Sequence, residues 1–260
     1  MTPTTRWLIC YFILLHFCHL LDCTAWTLSE TKGVSNYHNS VIFNKGGSRC
    51  QSLELNMIRG VDSKRTKIKR PRLIVFDLDG CLWRPEMYEL LYFSGGRGAP
   101  FTQDKQNPEI LRTQGNEPVK LLGNVRDVMF ELKTESSWKG TRVGISSRTD
   151  QPTWARELLR KFTVTRPDHS PFAIGEVFTE KFCILEASSK VGHFERIVKQ
   201  HGDGLKMNQI LFFDNEYGNC QQIANLGVTV VYCPNGVTIE AWEKAKKNFP
   251  VSNGKVIECR

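Results

Sequence analysis

The most constraining feature of this chain is a four-residue apolar run, Leu73-Ile74-Val75-Phe76, that ends abruptly in Asp77-Leu78-Asp79-Gly80. Rich in β-branched and aromatic types, the run reads as a short strand buried on both faces. Strands of that kind belong to parallel sheets covered by helices, and such sheets bind ligands at the carboxyl ends of their strands. Two carboxylates on that edge, one residue apart, repel each other unless a cation neutralises them. A hard divalent ion such as Mg²⁺, which prefers oxygen ligands, fits that task. A carboxylate there can also act as a nucleophile and form an aspartyl-phosphate. By itself, Asp-x-Asp-Gly is equally consistent with a strand running into an Asx-type turn, so its companions decide.

From Leu73 onward apolar runs alternate with amphipathic stretches, the signature of a mostly parallel α/β sheet. The first strand spans about 72–77. After it, Pro85 to Phe93 leads into a Gly- and Pro-rich stretch, Ser94 to Pro118, read as an irregular loop or small hairpin over the site; about 35 residues bury too little core for a second domain. Asn124 with Asp127 opens a helix to about Glu135. A second strand, Thr141 to Ser146, runs into Ser147-Arg148-Thr149. Pro152 then starts a helix whose Trp154, Leu158 and Phe162 share a face. The third strand is either Ile174 to Phe178 or Phe182 to Leu185. Ser188-Ser189-Lys190 opens a helix to about His201. A fourth strand, Gln209 to Phe213, ends in Asp214-Asn215-Glu216. A helix over Gly218 to Leu226, a strand over Val228 to Tyr232 and a helix over Thr238 to Asn248 complete the body.

The formal charge of +8 looks like a nucleic-acid signature until it is divided along the chain. Residues 1–72 hold eleven Lys and Arg against four Asp and Glu, which leaves the body with 24 against 23. A basic nucleic-acid-binding face on the body is therefore disfavoured. At the N-terminus, Arg6 precedes an uncharged, largely apolar run from Trp7 to Leu21 and then Cys23-Thr24-Ala25. This pattern reads as a secretory signal peptide over 1–25, short for a membrane span, which needs roughly 20 residues. Any membrane contact would come only through this N-terminal targeting. Residues 26–71 lack periodicity and end in a basic run, so they read as a flexible leader. Signal peptide plus basic leader resembles the bipartite presequences of plastids acquired by secondary endosymbiosis; the alternative is an extracellular or endomembrane protein with a basic linker. The nine cysteines show no Cys-x-x-Cys pair and no zinc spacing, and read mostly as small buried residues.

Collected at the strand ends, Asp77, Asp79, Ser147 and Asp214, with Lys190 at a helix start, suit phosphoryl transfer, which is mostly positioning plus charge stabilisation. On these residues the sequence resembles the haloacid-dehalogenase superfamily, and within it the small, capless magnesium-dependent phosphatase-1 family. The matching pieces are Val75-Phe76-Asp77-Leu78-Asp79 with Leu82-Trp83, Ser147-Arg148-Thr149, Ser189-Lys190-Val191 with His193-Phe194-Glu195-Arg196, Phe212-Phe213-Asp214 with Glu216 and Asn219, and Leu226-Gly227-Val228-Thr229. They keep the family's order and span about residues 72–245.

The resemblance implies a Rossmann-like three-layer α/β/α sandwich over 72–260 without a substantial cap, and a Mg²⁺-dependent phosphomonoesterase. Asp77 would be the nucleophile, and Asp79 the general acid and later the base. Ser147, Lys190 and, close by, Arg148 would hold the phosphate. Asp77, Asp79 (through its carbonyl), Asp214 and Asn215 would surround Mg²⁺. An open site suits a phosphoprotein, phosphotyrosine above all, or a small sugar or aryl phosphate. Two positions depart from the pattern. Cys81 stands where the family usually has Thr, and Asn215 where many relatives have a second Asp, so the metal shell carries less charge. These departures motivate an alternative, a catalytically weak module that binds phosphorylated partners; a phosphotransferase would share the same residues. His193 reads as a packing or surface histidine, and Trp83 as a wall of the pocket or as packing for the first loop.

Overall fold

The computed structural model describes residues 70–259. The signal peptide at 1–25 and nearly all of the leader at 26–71, with the targeting read from them, lie outside the described residues. The Arg70 guanidinium lies over the Trp138 ring, 4.2 Å from its centroid.

In chain order the elements open with β1 (Leu73–Phe76), β2 (Trp83–Arg84), α1 (Met87–Phe93), β3 (Thr102–Gln103), β4 (Ile110–Arg112) and β5 (Pro118–Leu121). Next come α2 (Val125–Thr134), β6 (Arg142–Ser147), α3 (Pro152–Lys161), β7 (Thr163–Arg166), β8 (His169–Ala173) and β9 (Cys183–Leu185). The chain closes with α4 (Lys190–His201), β10 (Ile210–Asp214), α5 (Tyr217–Ala224), β11 (Thr229–Tyr232), α6 (Ile239–Asn248) and β12 (Val256–Glu258). No helix of the described residues is long and apolar enough to cross a membrane.

Six strands form one parallel sheet in the order β12-β11-β10-β1-β6-β9. β1 lies inside it, between β10 and β6, and all four of its residues are fully buried. Because side chains alternate along a strand, Ile74 and Phe76 pack into one core while Leu73 and Val75 pack into the other. The first core takes Val125 and Met129 of α2, Leu158 of α3 and Trp242 of α6. The second takes Phe194 and Ile197 of α4 and Ile223 of α5. Helices therefore cover both faces, which is the expected Rossmann-like sandwich. Burying each large side chain of β1 stabilises the fold by about 1.5–3 kcal/mol, so this strand anchors the acids that follow it.

The segment between β1 and α2 is more ordered than an irregular loop or small hairpin. It contains α1 and a four-stranded antiparallel sheet in the order β2-β5-β4-β3. These strands are two to four residues long, too short to show alternation in a sequence. The segment builds no core of its own: Met87, Leu90, Phe101, Leu111 and Val119 all join the first core of the main sheet. Of the two alternatives for the third strand, Phe182 to Leu185 holds, as β9 at the sheet edge; Ile174–Val177 forms a 3₁₀ turn instead. The β7–β8 hairpin and the edge strand β12 add to the expected elements.

Candidate active site

β1, β6 and β10 run parallel and side by side, so their carboxyl ends bring Asp77, Ser147 and Asp214 to one edge. Beyond β1 the chain turns sharply. The Leu82 N–H donates to the Leu78 carbonyl at 2.7 Å, and the Gly80 N–H donates to the Trp83 carbonyl at 2.9 Å. Gly80 has φ of +69°, a left-handed conformation that glycine adopts without a Cβ penalty. A Cβ there would also stand 2.2 Å from Asn215 Nδ2 and 2.9 Å from Glu86 Oε1, so the turn is closed to any larger residue. The turn folds Trp83 back, and its indole N–H donates to Asp79 Oδ1 at 2.8 Å. Trp83 thus holds an acid in place as well as filling space.

Lys190 is the first residue of α4, where the Ser189 hydroxyl caps the helix by accepting from the Gly192 N–H at 3.1 Å. Its side chain is buried and its ammonium lies 2.8 Å from Asp77 Oδ1 and 3.0 Å from Asp214 Oδ2. It also donates to the Ser146 carbonyl at 2.5 Å. Burial works against its charge, but the two carboxylates outweigh that and hold its pKa above the usual lysine range. Asp77 feels the converse balance. Burial pushes its pKa up to about 7, with Lys190 pulling down and Asp214 and Asp79 pushing up. Asp79 is also raised to about 7, by burial, against hydrogen bonds from the Trp83 indole and the Met87 backbone N–H.

These residues floor a cavity of about 590 Å³. Asp77, Asp79, Ser147, Arg148 and Lys190 all line it, so five of the residues singled out from sequence converge. The Ser147 hydroxyl is buried without a hydrogen-bond partner, an orphan donor facing a polar space. Arg148 lines the cavity but its guanidinium pairs with Glu216 at 2.6 Å, an exposed ion pair of little stability. Asp214 is fully buried behind Lys190, with Oδ1 accepting from the Glu216 N–H at 2.7 Å. Asn215 sits against Gly80 with its amide oxygen buried and unpartnered. Cys81 lies away from the cavity lining, its thiol 3.7 Å from the Phe213 carbonyl and 3.7 Å from Cys233 Sγ; burial pushes its pKa well up, which marks an inert packing thiol.

Glu86 and Tyr88 line the cavity too and carry no sequence signal, because α1 brings them in from a segment read as a loop. Asn219, one turn into α5, reaches both Asp214 oxygens at 3.3 and 3.4 Å. Among the described residues no group of three or more His, Cys, Asp or Glu side chains converges as a metal cluster. The oxygen donors there are instead the Asp77 and Asp214 carboxylates, which share the Lys190 ammonium, and the buried, unpartnered amide oxygen of Asn215. That set is all oxygen and fits a hard divalent cation, not a soft one.

The model of the Acid Phosphatase family matches residues 69–251. The chain belongs to the Acid Phosphatase family. Magnesium-dependent phosphatase 1 of Homo sapiens is 28% identical over 179 residues, covering 69% of this chain and 87% of that protein. A HAD-like hydrolase superfamily protein of Schizosaccharomyces pombe is 28% identical over 181 residues, covering 70% and 90%. A solved structure of a putative phosphatase from Clostridium difficile covers 74% of this chain and 96% of its own at 13% identity, with a TM-score of 0.43. As the motifs imply, this acid phosphatase is of the haloacid-dehalogenase type, and Asp77, Asp79, Ser147, Arg148 and Lys190 of those motifs line the cavity at the strand ends.

Proposed function

We propose that this phosphatase hydrolyses phosphomonoesters through an aspartyl-phosphate at Asp77, with Mg²⁺ as cofactor. The observation that carries the reading is the buried Lys190 ammonium, shared by Asp77 and Asp214 beneath a cavity into which the free Ser147 hydroxyl opens. A binding module has no need of an acid such as Asp79 beside a carboxylate already poised by a lysine. The name of the human relative supports Mg²⁺, and the all-oxygen donor set supports it independently. Asp77, Asp214, the Asp79 carbonyl and the Asn215 amide oxygen would hold the ion. Its charge lets an anionic nucleophile meet an anionic phosphate.

In the first half-reaction an Asp77 carboxylate oxygen attacks phosphorus while the ester P–O bond breaks. Asp79 gives its proton to the departing oxygen. A carboxyl raised to about 7 by burial is still partly protonated near neutrality, as this step needs. Lys190 and Ser147 hold non-bridging oxygens where charge develops. In the second half-reaction Asp79 takes a proton from water, the water oxygen attacks phosphorus, and the acyl-phosphate P–O bond breaks to release inorganic phosphate and the Asp77 carboxylate.

The substrate is a protein phosphotyrosine or a small aryl or sugar phosphate. An open cavity lined by the exposed ring of Tyr88 supports a leaving group with a flat apolar face. The test is turnover of p-nitrophenyl phosphate, a phosphotyrosine peptide and a set of sugar phosphates by the full chain, with Mg²⁺ or with EDTA. Metal-dependent release of phosphate that favours aryl esters is expected. A folded protein that releases phosphate from none of them would overturn the reading.

A further inference from the structure

Behind Lys190 and Ser147 lies a line of side chains that the reaction steps leave unused. His193, one turn after Lys190 on α4, is fully buried and does not line the cavity. Its Nδ1 is 3.0 Å from Ser146 Oγ, and its Nε2 is 2.8 Å from Ser188 Oγ. The ends of the line fix the direction of each bond. Ser188 Oγ is 2.9 Å from Glu186 Oε1 and donates to it, because a carboxylate has no hydrogen to give. With its only hydrogen committed, Ser188 Oγ accepts from His193, so Nε2 bears the proton. Burial, and next the Lys190 charge, pull the His193 pKa down to about 4, so the ring is neutral and Nδ1 is an acceptor. The Ser146 hydroxyl therefore donates to Nδ1. At the outer end Arg196 pairs with Glu186 and holds that carboxylate in place.

Every link borders a phosphate-binding group. The Ser146 carbonyl is the one that accepts from Lys190, and the next residue along β6 is Ser147. Ser188 lines the cavity in the loop that leads to the Ser189 cap and Lys190. We propose that His193, as its Nε2-protonated tautomer, is a positioning residue that ties the carboxyl end of β6 to the 186–189 loop and the first turn of α4. It thereby keeps Ser147 and Lys190 together as one phosphate-binding unit. The proposal rests on the phosphatase reading above. A packing histidine would be replaceable by any ring of similar volume; this one is not, because its two nitrogens do opposite jobs.

The test uses the full chain, with inorganic phosphate as the ligand probe and Mg²⁺ present. His193→Phe keeps a planar ring, somewhat larger than imidazole, and loses both bonds; His193→Asn keeps an acceptor near Nδ1. Losing a neutral hydrogen bond of ordinary strength corresponds to roughly ten-fold in an equilibrium constant. We expect His193→Phe to weaken phosphate inhibition and raise KM by about that factor, with the pH dependence of kcat unmoved, and His193→Asn to recover part of the loss. Imidazole ¹⁵N spectra of the wild type should show a single protonated nitrogen, Nε2, at neutral pH. A folded His193→Phe with wild-type phosphate affinity, or a ring protonated at Nδ1, would overturn the proposal. If His193→Phe does not fold, Ser188→Ala at the exposed end of the line decides, since unchanged phosphate affinity there also overturns it. Phosphate titration and the tautomer are read without turnover, so a wild type that binds phosphate but hydrolyses nothing condemns the phosphatase reading and not the tie.

Discussion

Replacing Lys190 with Met removes the buried charge and little else, because the two side chains are similar in length and volume. Asp77 and Asp214 lose contacts at 2.8 and 3.0 Å, and the Ser146 carbonyl loses one at 2.5 Å. The lysine is only 2% exposed, so water does not readily take its place. Breaking a buried ion pair by removing one partner costs on the order of 3–5 kcal/mol. Asp77 limits that cost by taking a proton. Its pKa is already raised to about 7 by burial, against the pull of Lys190, and rises further without the lysine. A carboxyl whose pKa is higher folded than unfolded stabilises the fold at low pH, and that contribution is lost as pH rises through the folded pKa. The variant carries this loss to higher pH than the wild type does. Lys190→Met should therefore cost more near pH 8.5 than near pH 6, with about 3–5 kcal/mol as the alkaline value. Urea denaturation of both proteins in EDTA at the two pH values measures this directly. At roughly 2–4 °C per kcal/mol for a domain this size, melting curves should separate by about 10 °C. A loss below about 1 kcal/mol at both pH values, or a larger loss in acid, would refute this picture of the ion triad.

Two further substitutions probe the turn after β1. Gly80→Ala meets both the left-handed φ of +69° and a 2.2 Å approach to Asn215 Nδ2, so it should cost about 1–3 kcal/mol and lower kcat by displacing Asp79; denaturation and turnover with wild-type kcat would contradict it. Trp83→Phe keeps the ring packed near Phe162, 6.4 Å away between centroids, but removes the 2.8 Å hydrogen bond to Asp79. It should lower kcat roughly ten-fold while stability changes by about 1 kcal/mol, and the reverse pattern would make Trp83 a packing residue only.

The strand ends were legible because the strands that carry them are buried on both faces. Leu73–Phe76 and Ile210–Phe213 are unbroken apolar runs, each followed at once by Asp, and an acid beside such a run has few places to go but the sheet edge. Lys190 was legible from the Ser188-Ser189 pair that opens its helix. What escaped was decided by distant parts of the chain. Arg148 is drawn to Glu216, 68 residues away, and no local pattern reports that pairing. Glu86 and Tyr88 reach the cavity from the start of α1, in a segment whose strands β2 to β5 have only two to four residues each, too short for their sequences to announce. The indole bond from Trp83 to Asp79 was within reach, since the residues are four apart across a turn that Gly80 marks. In sequence only the register of His193 on its helix is visible, which fits a packing or surface residue, whereas Ser146 and Ser188, the partners of its two nitrogens, meet it only when β6 and α4 pack.

In the proposed mechanism Asp77 itself takes the phosphoryl group. Quenching the full chain in mid-turnover with p-nitrophenyl phosphate and Mg²⁺, then reducing with borohydride, converts an aspartyl-phosphate to homoserine, which peptide mass spectrometry locates. Homoserine at position 77 and nowhere else, absent without substrate and absent in Asp77→Asn, is the predicted result. Undiminished turnover by Asp77→Asn, or a trapped residue other than Asp77, would contradict the account.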